Sequence, residues 1–481
     1  MSLIRNTAWS AFAALFLLSG RLLANILFAK TLGVTEFGKF VFSQWVIEMI
    51  FLGLAFGLPG SAGRFYAQWR TNTPRLLKLE TWFWSRTLFI LPAVALISSL
   101  TLVVFNNEEN LNILLLQAGW AASSAFWALL LARAQGLQKF KRVAFSNGTY
   151  VFTTLIAFAL LLNESMTVSL VMLIALFATI LAAIVCWIPL PIDEKIKLKI
   201  KEKKISFRKV NIFGLNIWIS GLVGAFVWSR GEIGVIRAEL AISDLAIYSI
   251  ALTLSGIATQ GLMLLTGAIG PHLTQMWGTE KRVEAINLCR NFTDILTLTV
   301  GFLSLFLIIF SKEIIYLSYG INYVDAKVLL AILGLGAIGL VSAAPNQLIQ
   351  IQTNGIFSRN INFIGAAVLF ITSFVLIKFL GVEGAALSRA LTQNFVGFAT
   401  LYYAYRNISK QTVNWINQVK VGLIVLIVLI LNYVNNFSIY LRISEFLAST
   451  TTVILILHND NRKLIFLIIL NKIKKYFYKK A

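Results

Sequence analysis

The residues of this sequence that could do chemistry are a few charged side chains placed where charge is costly. Residues 11–29 read AFAALFLLSGRLLANILFA, an apolar run with one permanent cation, Arg21, near its middle. A cation at the centre of a membrane helix costs about 2.5–3.5 kcal/mol on insertion scales, so it must face protein or water. Asn25 follows one turn later, and Thr7 and Ser10 fall on roughly the same side, giving the run a polar stripe. In the next apolar run Gln44 and Glu48 make a second i,i+4 polar pair. With a rise of about 1.5 Å per residue, Arg21 and Glu48 come within about 3 Å of each other in depth. Two chemistries fit. One is an ion pair that locks neighbouring helices. The other is a guanidinium presented to a ligand, its donors matching two oxygens of a phosphate at once. Glu48 is also a candidate for proton coupling, because burial favours its neutral form.

Further polar side chains extend this set. Arg86 lies near the inner end of the third apolar run, where it either snorkels to water or meets a ligand. Arg64 closes the second run at the same surface. Arg230 and Arg237 sit at the opposite mouth of the second half, and Arg389 with Gln393 makes an i,i+4 pair in the twelfth run. Asn346, Gln350 and Asn354 share one face of PNQLIQIQTNG (345–355), a pattern suited to sugar hydroxyls or to a solvated helix end.

Only a polytopic membrane fold positions such residues. Of 481 residues 58% are apolar and 13% charged, and mean hydropathy is +0.79. Continuous apolar runs of about 20 residues point to helices rather than barrel strands. Fourteen are expected near 8–29, 38–58, 82–105, 111–131, 143–162, 167–188, 211–230, 244–268, 291–311, 326–345, 361–380, 384–404, 418–434 and 443–457, the last two being short. Basic residues collect on cytoplasmic loops. With the N-terminus placed inside, 31 of the 42 Lys and Arg fall on the inner segments and nine on the outer segments or the outer parts of the flanking runs. This places both termini in the cytoplasm and accounts for the net charge of +22 without a nucleic-acid partner.

The basic stretch PIDEKIKLKIKEKKISFRKV (191–210) divides twelve spans into six and six. It reads as a cytoplasmic connector, either solvated or lying on anionic lipid. The expected organisation is a lobe at 1–190, this linker, a second lobe at 211–405, and two further helices with a basic interfacial tail at 406–481. LGVTEFGKFVFSQWV (32–46) and LAISDLAIYSIALTL (240–254) match weakly at equivalent places in the two halves, as do QGLQKFKRV (135–143) and NGIFSRN (354–360). An even number of spans per half makes the repeats parallel, with a cavity between two lobes that opens to alternate sides, a transporter architecture.

Five stretches carry a resemblance: FAKTLGVTEFGKF (28–40), LGLAFGLPGSAGRF (52–65), RAQGLQKF (133–140), EIGVIRAELAISDLAIYSIA (232–251) and LGVEGAALSRALTQ (380–393). In order and spacing, over nearly the whole chain, the sequence resembles polysaccharide flippases of the multidrug/oligosaccharidyl-lipid/polysaccharide superfamily. The resemblance implies a V-shaped, MATE-like fold in a bacterial inner membrane. It implies outward translocation of an undecaprenyl-diphosphate-linked oligosaccharide, such as an O-antigen unit of lipopolysaccharide. Polysaccharide polymerase and chain-length machinery are the implied partners besides membrane lipids. Arg21, Asn25, Glu48, Arg64, Arg86, Arg237, Arg389 and Gln393 are then the candidate substrate cavity, with Arg21 as counter-ion to the diphosphate. Family members often carry Asp at the position of Glu232 and a small residue near Arg237. These departures bear on cargo choice.

Other chemistries find no support in the residues. GLGAIG (334–339) matches a nucleotide-binding pattern but lies in an apolar span, where glycines serve close helix contact. His272 and His458 form no catalytic or metal pair, and Cys186 and Cys289 lie in different runs, so neither metal nor cofactor is expected. A glycosyltransferase or ligase would need a large loop outside the membrane, and the longest here is about twenty residues. The alternatives are a drug or cation exporter of the same fold, which needs unpaired acids in its cavity, and a lipid II-type flippase.

Overall fold

The computed structural model describes residues 3–69, 73–106, 111–161, 166–187, 207–266, 273, 276–277, 280–353, 356–434 and 439–458. Every regular element among them is helical. In chain order these are α1 (Leu3–Leu54), α2 (Leu58–Trp69), α3 (Thr73–Asn106), α4 (Leu111–Gly136), α5 (Phe140–Leu160), α6 (Val168–Cys186), α7 (Arg208–Ala225), α8 (Ile233–Glu239) and α9 (Ile242–Thr266). They continue with α10 (Arg282–Ile309), α11 (Ser311–Tyr319), α12 (Ala326–Gly336), α13 (Ala343–Thr353), α14 (Ile356–Asn407), α15 (Trp415–Val434) and α16 (Ile439–His458). A π-helical turn spans Phe226–Arg230, and a 3-10 segment at Ala337–Ser342 joins α12 to α13.

Eleven helices among the described residues are long and apolar enough to cross a membrane, so the protein is a multi-pass membrane protein. Two of them, α1 and α14, are 52 residues long, and each takes up two of the expected runs. Both bend at a Leu-Gly-Val triplet. Gly33 has φ 74° and Gly381 has φ 58°, a left-handed backbone that glycine adopts without a Cβ penalty. One residue thus turns the chain where the sequence predicted a short connection. The expected run at 443–457 lies in α16, which carries Arg442 and Glu445 and is not among the eleven. Of the basic connector only 207–210 is described, while His272, Asn354 and the tail at 459–481 lie outside the described residues.

Contacts group the chain into two compact units, 1–249 and 250–481. The expected lobes divided at the basic connector. The observed division falls inside α9, because α7 packs on α2 within the first unit. In that unit α4, α5 and α6 are tied by a short polar chain: Trp127 Nε1 donates to Ser146 Oγ (2.8 Å), which donates to the Ala182 carbonyl (2.7 Å). Phe40 of α1 stacks on Trp120 of α4 with ring centres 5.4 Å apart. Leu88, Phe89 and Leu160 are more than 70% exposed, a surface that suits acyl chains rather than water.

In the second unit α10 packs against α12, α13, α15 and α16, and α14 lies along α12 and the 3-10 segment. Gly339 and Gly397 set the closeness of that last contact. A Cβ at Gly397 would lie 2.5 Å from the Gly339 carbonyl oxygen. The glycines of GLGAIG therefore serve helix packing. Gly397→Ala should lower the thermal midpoint of the purified protein, at a cost of about 1–3 kcal/mol for an overpacked contact. Gly261→Ala, where a Cβ meets nothing within 4 Å, should leave it unchanged. Equal midpoints for both variants would refute the contact.

Candidate functional site

Arg21 projects from the first half of α1 beside α5, its guanidinium carbon 5.7 Å from the centre of the Tyr150 ring. It lines a cavity of about 160 Å³ enclosed by α1, α4, α5 and α6 of the first unit. Gln44 and Glu48 line the same cavity from the second half of α1, with Trp120, Trp127 and Tyr150 as its aromatic wall. The cation and the acid expected at one depth thus do meet at one cavity. Of the two chemistries that fit, the ion pair is not formed: among the described residues no carboxylate lies within 4.0 Å of Arg21. Gln44 Nε2 instead donates to Glu48 Oε1 at 3.3 Å, one turn away on the same helix. Arg21 is exposed and Glu48 is half-buried. A cation in this position can engage an anion without first breaking an internal ion pair.

The other candidates are spread over different places. Asn25 is half-buried and does not line the cavity. Arg86 stacks on Trp82 (4.4 Å) and donates from Nη2 to Asn211 Oδ1 (3.3 Å). It borders a second, larger cavity of about 430 Å³ between α2, α3 and α7. Arg64 lies on α2 with its guanidinium 4.2 Å from the Phe213 ring. Arg237 is half-buried on α8, 5.8 Å from the Phe42 ring. Nearby, Glu232 is buried and accepts a hydrogen bond from the Tyr248 hydroxyl. Arg389 is buried in α14 of the second unit, and the Gln393 amide lies against Gly336. Among the described residues of the first unit, Arg21 and Glu48 line one cavity and Arg86 borders another.

A charged cluster that the sequence patterns did not single out joins α2, α3 and the C-terminal end of α4. Arg133 of α4, 2% exposed, clamps Glu80 of α3 through Nε–Oε2 (3.1 Å) and Nη2–Oε1 (2.6 Å). Trp84 Nε1 also donates to Glu80 Oε1 (2.8 Å), and the Tyr66 hydroxyl of α2 donates to Oε2. Burial first, and then the Glu80 carboxylate, push the pKa of the Tyr66 phenol up, which keeps it protonated as a donor. Three helices are tied at one carboxylate. In the sequence both charges sit at ends of apolar runs, where they read as ordinary loop charges. The signal was an acid and a base at the ends of consecutive runs, with Trp84 four residues after Glu80.

With this geometry in place, the family assignment follows from a match over more than half the chain. The family model for polysaccharide biosynthesis proteins matches residues 3–277. The chain belongs to that family. No curated protein sequence matches significantly. Among solved structures it is similar to an inward-facing multidrug resistance MATE family transporter of the MOP superfamily, with TM-score 0.66 and 13% identity over 83% of this chain and 95% of that one. It is similar to the lipid II flippase MurJ in an inward closed conformation, with TM-score 0.59 and 15% identity over 94% and 98%. A point mutant of the Vibrio cholerae MATE transporter VcmN matches with TM-score 0.55 and 14% identity over 84% and 95%. The family member thus has the MATE-like, all-helical membrane fold expected from its sequence.

The Glu80 cluster is expected to be structural. Arg133→Ala leaves a carboxylate without its cation and should destabilise the protein by about 3–5 kcal/mol. Arg133→Lys should rescue it poorly, because an ammonium cannot reproduce the two-point clamp. Thermal unfolding in detergent checks both, and full stability of Arg133→Ala would contradict the assignment.

Proposed function

We propose that this protein is a flippase that carries an oligosaccharide linked to undecaprenyl diphosphate, an O-antigen or related polysaccharide unit, from the inner to the outer leaflet of the bacterial cytoplasmic membrane. The observation that carries the proposal is Arg21: a guanidinium in a membrane helix, lining a cavity, with no carboxylate bonded to it among the described residues. Such a group is costly in hydrocarbon and is offset when an anion arrives. Its planar donors match two phosphate oxygens. Trp120, Trp127 and Tyr150 beside it supply flat apolar faces, and Gln44 an amide, for the sugar next to the phosphate. The family match supports a polysaccharide pathway, and the fold is one used by transporters.

The cycle is alternating access. The diphosphate enters from the cytoplasm and gives up water to the guanidinium, while the polyprenyl chain stays in lipid. The head group then leaves on the outer side. Moving two negative charges outward across an inside-negative membrane is favourable by about 2.3 kcal/mol per charge per 100 mV, so the potential itself assists the step. Both termini lie in the cytoplasm on this reading. Polymerase and chain-length proteins would act on the product at the outer face.

One observation favours a second reading, export of a drug or other cation: Glu48 lines the same cavity. Proteoliposomes loaded with a fluorescent polyprenyl-diphosphate oligosaccharide separate the two. Arg21→Ala should reduce flipping at least tenfold at normal expression, Arg21→Lys should retain part of it, and Glu48→Gln should retain most. Undiminished flipping by Arg21→Ala would refute the role of Arg21. Cation efflux that depends on Glu48 but not on Arg21 would establish the exporter instead.

A further inference from the structure

The second unit contains a cavity that the cargo reading does not use. It holds about 360 Å³ and lies where the start of α10, the end of α14 and the start of α15 meet. Two cations line it, Arg290 and Lys410, and no lining residue is acidic. Arg290 is half-buried and, among the described residues, makes no hydrogen bond or ion pair; its Nε is fully covered and unbonded. Lys410 is exposed and has no carboxylate within 4.0 Å among the described residues. The wall also carries three amphipathic rings, Tyr402, Tyr405 and Trp415, beside two amide and two aliphatic side chains. The N-terminal turn of the 20-residue helix α15 opens onto the same space through Trp415 and Ile416.

These features define the ligand by its chemistry. Two cations without an acid call for an anion. A helix N-terminus adds backbone N–H groups and the positive end of a dipole. Tyr and Trp are the side chains enriched where a membrane meets water. The expected topology places this wall at the membrane surface as well: with the N-terminus inside, the connections after the eighth and twelfth expected runs, 269–290 and 405–417, fall on the cytoplasmic face, and Arg290 and Lys410 belong to them. Basic pockets between membrane helices on that face suit lipid head groups. A soluble anion would need the cations but not the aromatic rim.

We propose that this cavity binds the phosphate head group of an anionic phospholipid from the cytoplasmic leaflet. Arg290 and Lys410 hold the phosphate, and Tyr402 and Trp415 flank the glycerol and upper chain. Phosphate is the chemistry shared by the lipid and by free phosphate, and the choice of probes distinguishes them.

The test uses the purified full-length protein, delipidated in detergent, with native mass spectrometry as the readout. Wild type titrated with phosphatidylglycerol should retain one tightly bound lipid that phosphatidylcholine does not supply. Arg290→Gln should weaken that binding about tenfold. Lys410→Glu should weaken it similarly, and because Lys410 is exposed it keeps the test valid should Arg290→Gln fold poorly. Millimolar inorganic phosphate should not displace the lipid. Unchanged phosphatidylglycerol binding in Lys410→Glu, equal retention of phosphatidylcholine, or displacement by inorganic phosphate would each overturn the proposal.

Discussion

A guanidinium cannot lose its charge at any pH a cell meets, so a membrane helix that carries one must give it a partner or keep it wet. The first unit does both. Arg133 is sealed, with a carboxylate clamped in two places and an indole and a phenol completing the acceptor. Arg21 lies under the same constraint and is treated in the opposite way. Its potential partner, Glu48, lines the same cavity but is bonded to Gln44. A sealed pair holds helices in register, whereas a cation facing a cavity invites an external anion. On the proposed function, the difference between these two arginines is the difference between scaffold and site.

The helices that hold Arg21 are placed by small residues. Gly33 lets α1 reverse within one residue, so the two halves of one helix bring Arg21 and Glu48 to a common cavity. Gly20, one residue before Arg21, faces Val151 of α5 with no room for a Cβ, which brings α1 close to the ring of Tyr150. On the far side, the Trp127–Ser146–Ala182 chain fixes α4, α5 and α6 and orients one of the cavity's indoles. Rigid packing around an exposed cation is what a binding site requires, because a freely moving guanidinium would lose entropy on engaging phosphate.

Much of this was legible in the sequence. Apolar runs of span length are a strong signal, and the helices fall where they predicted. The shared depth of Arg21 and Glu48 follows from the helical rise alone. What the sequence did not reveal was side-chain choice. Gln44 can reach Glu48 locally, at i,i+4. That local hydrogen bond forms in place of a pair between the two halves of α1, which would need both side chains to meet across the cavity. Arg86 and Arg64 carry the same charge as Arg21, yet they stack on Trp82 and Phe213 in other parts of the unit, because azimuth around a helix bundle is not encoded in hydropathy. The Glu80–Arg133 clamp was hidden for a related reason. Charges at the ends of apolar runs look solvated until a third helix, here α2 with Tyr66, closes over them.

The central claim is that position 21 faces water and meets the cargo's phosphates. Labelling of Ser124→Cys, which lines the cavity beside Arg21, with a membrane-impermeant thiol reagent tests it most directly, in a background where Cys186 and Cys289 are replaced and with Arg21→Ala as the control that should lose protection. The account predicts that the thiol reacts, and that a polyprenyl-diphosphate oligosaccharide protects it while the same oligosaccharide without phosphate does not. A thiol that never reacts, or one that reacts equally with and without the diphosphate, would contradict it.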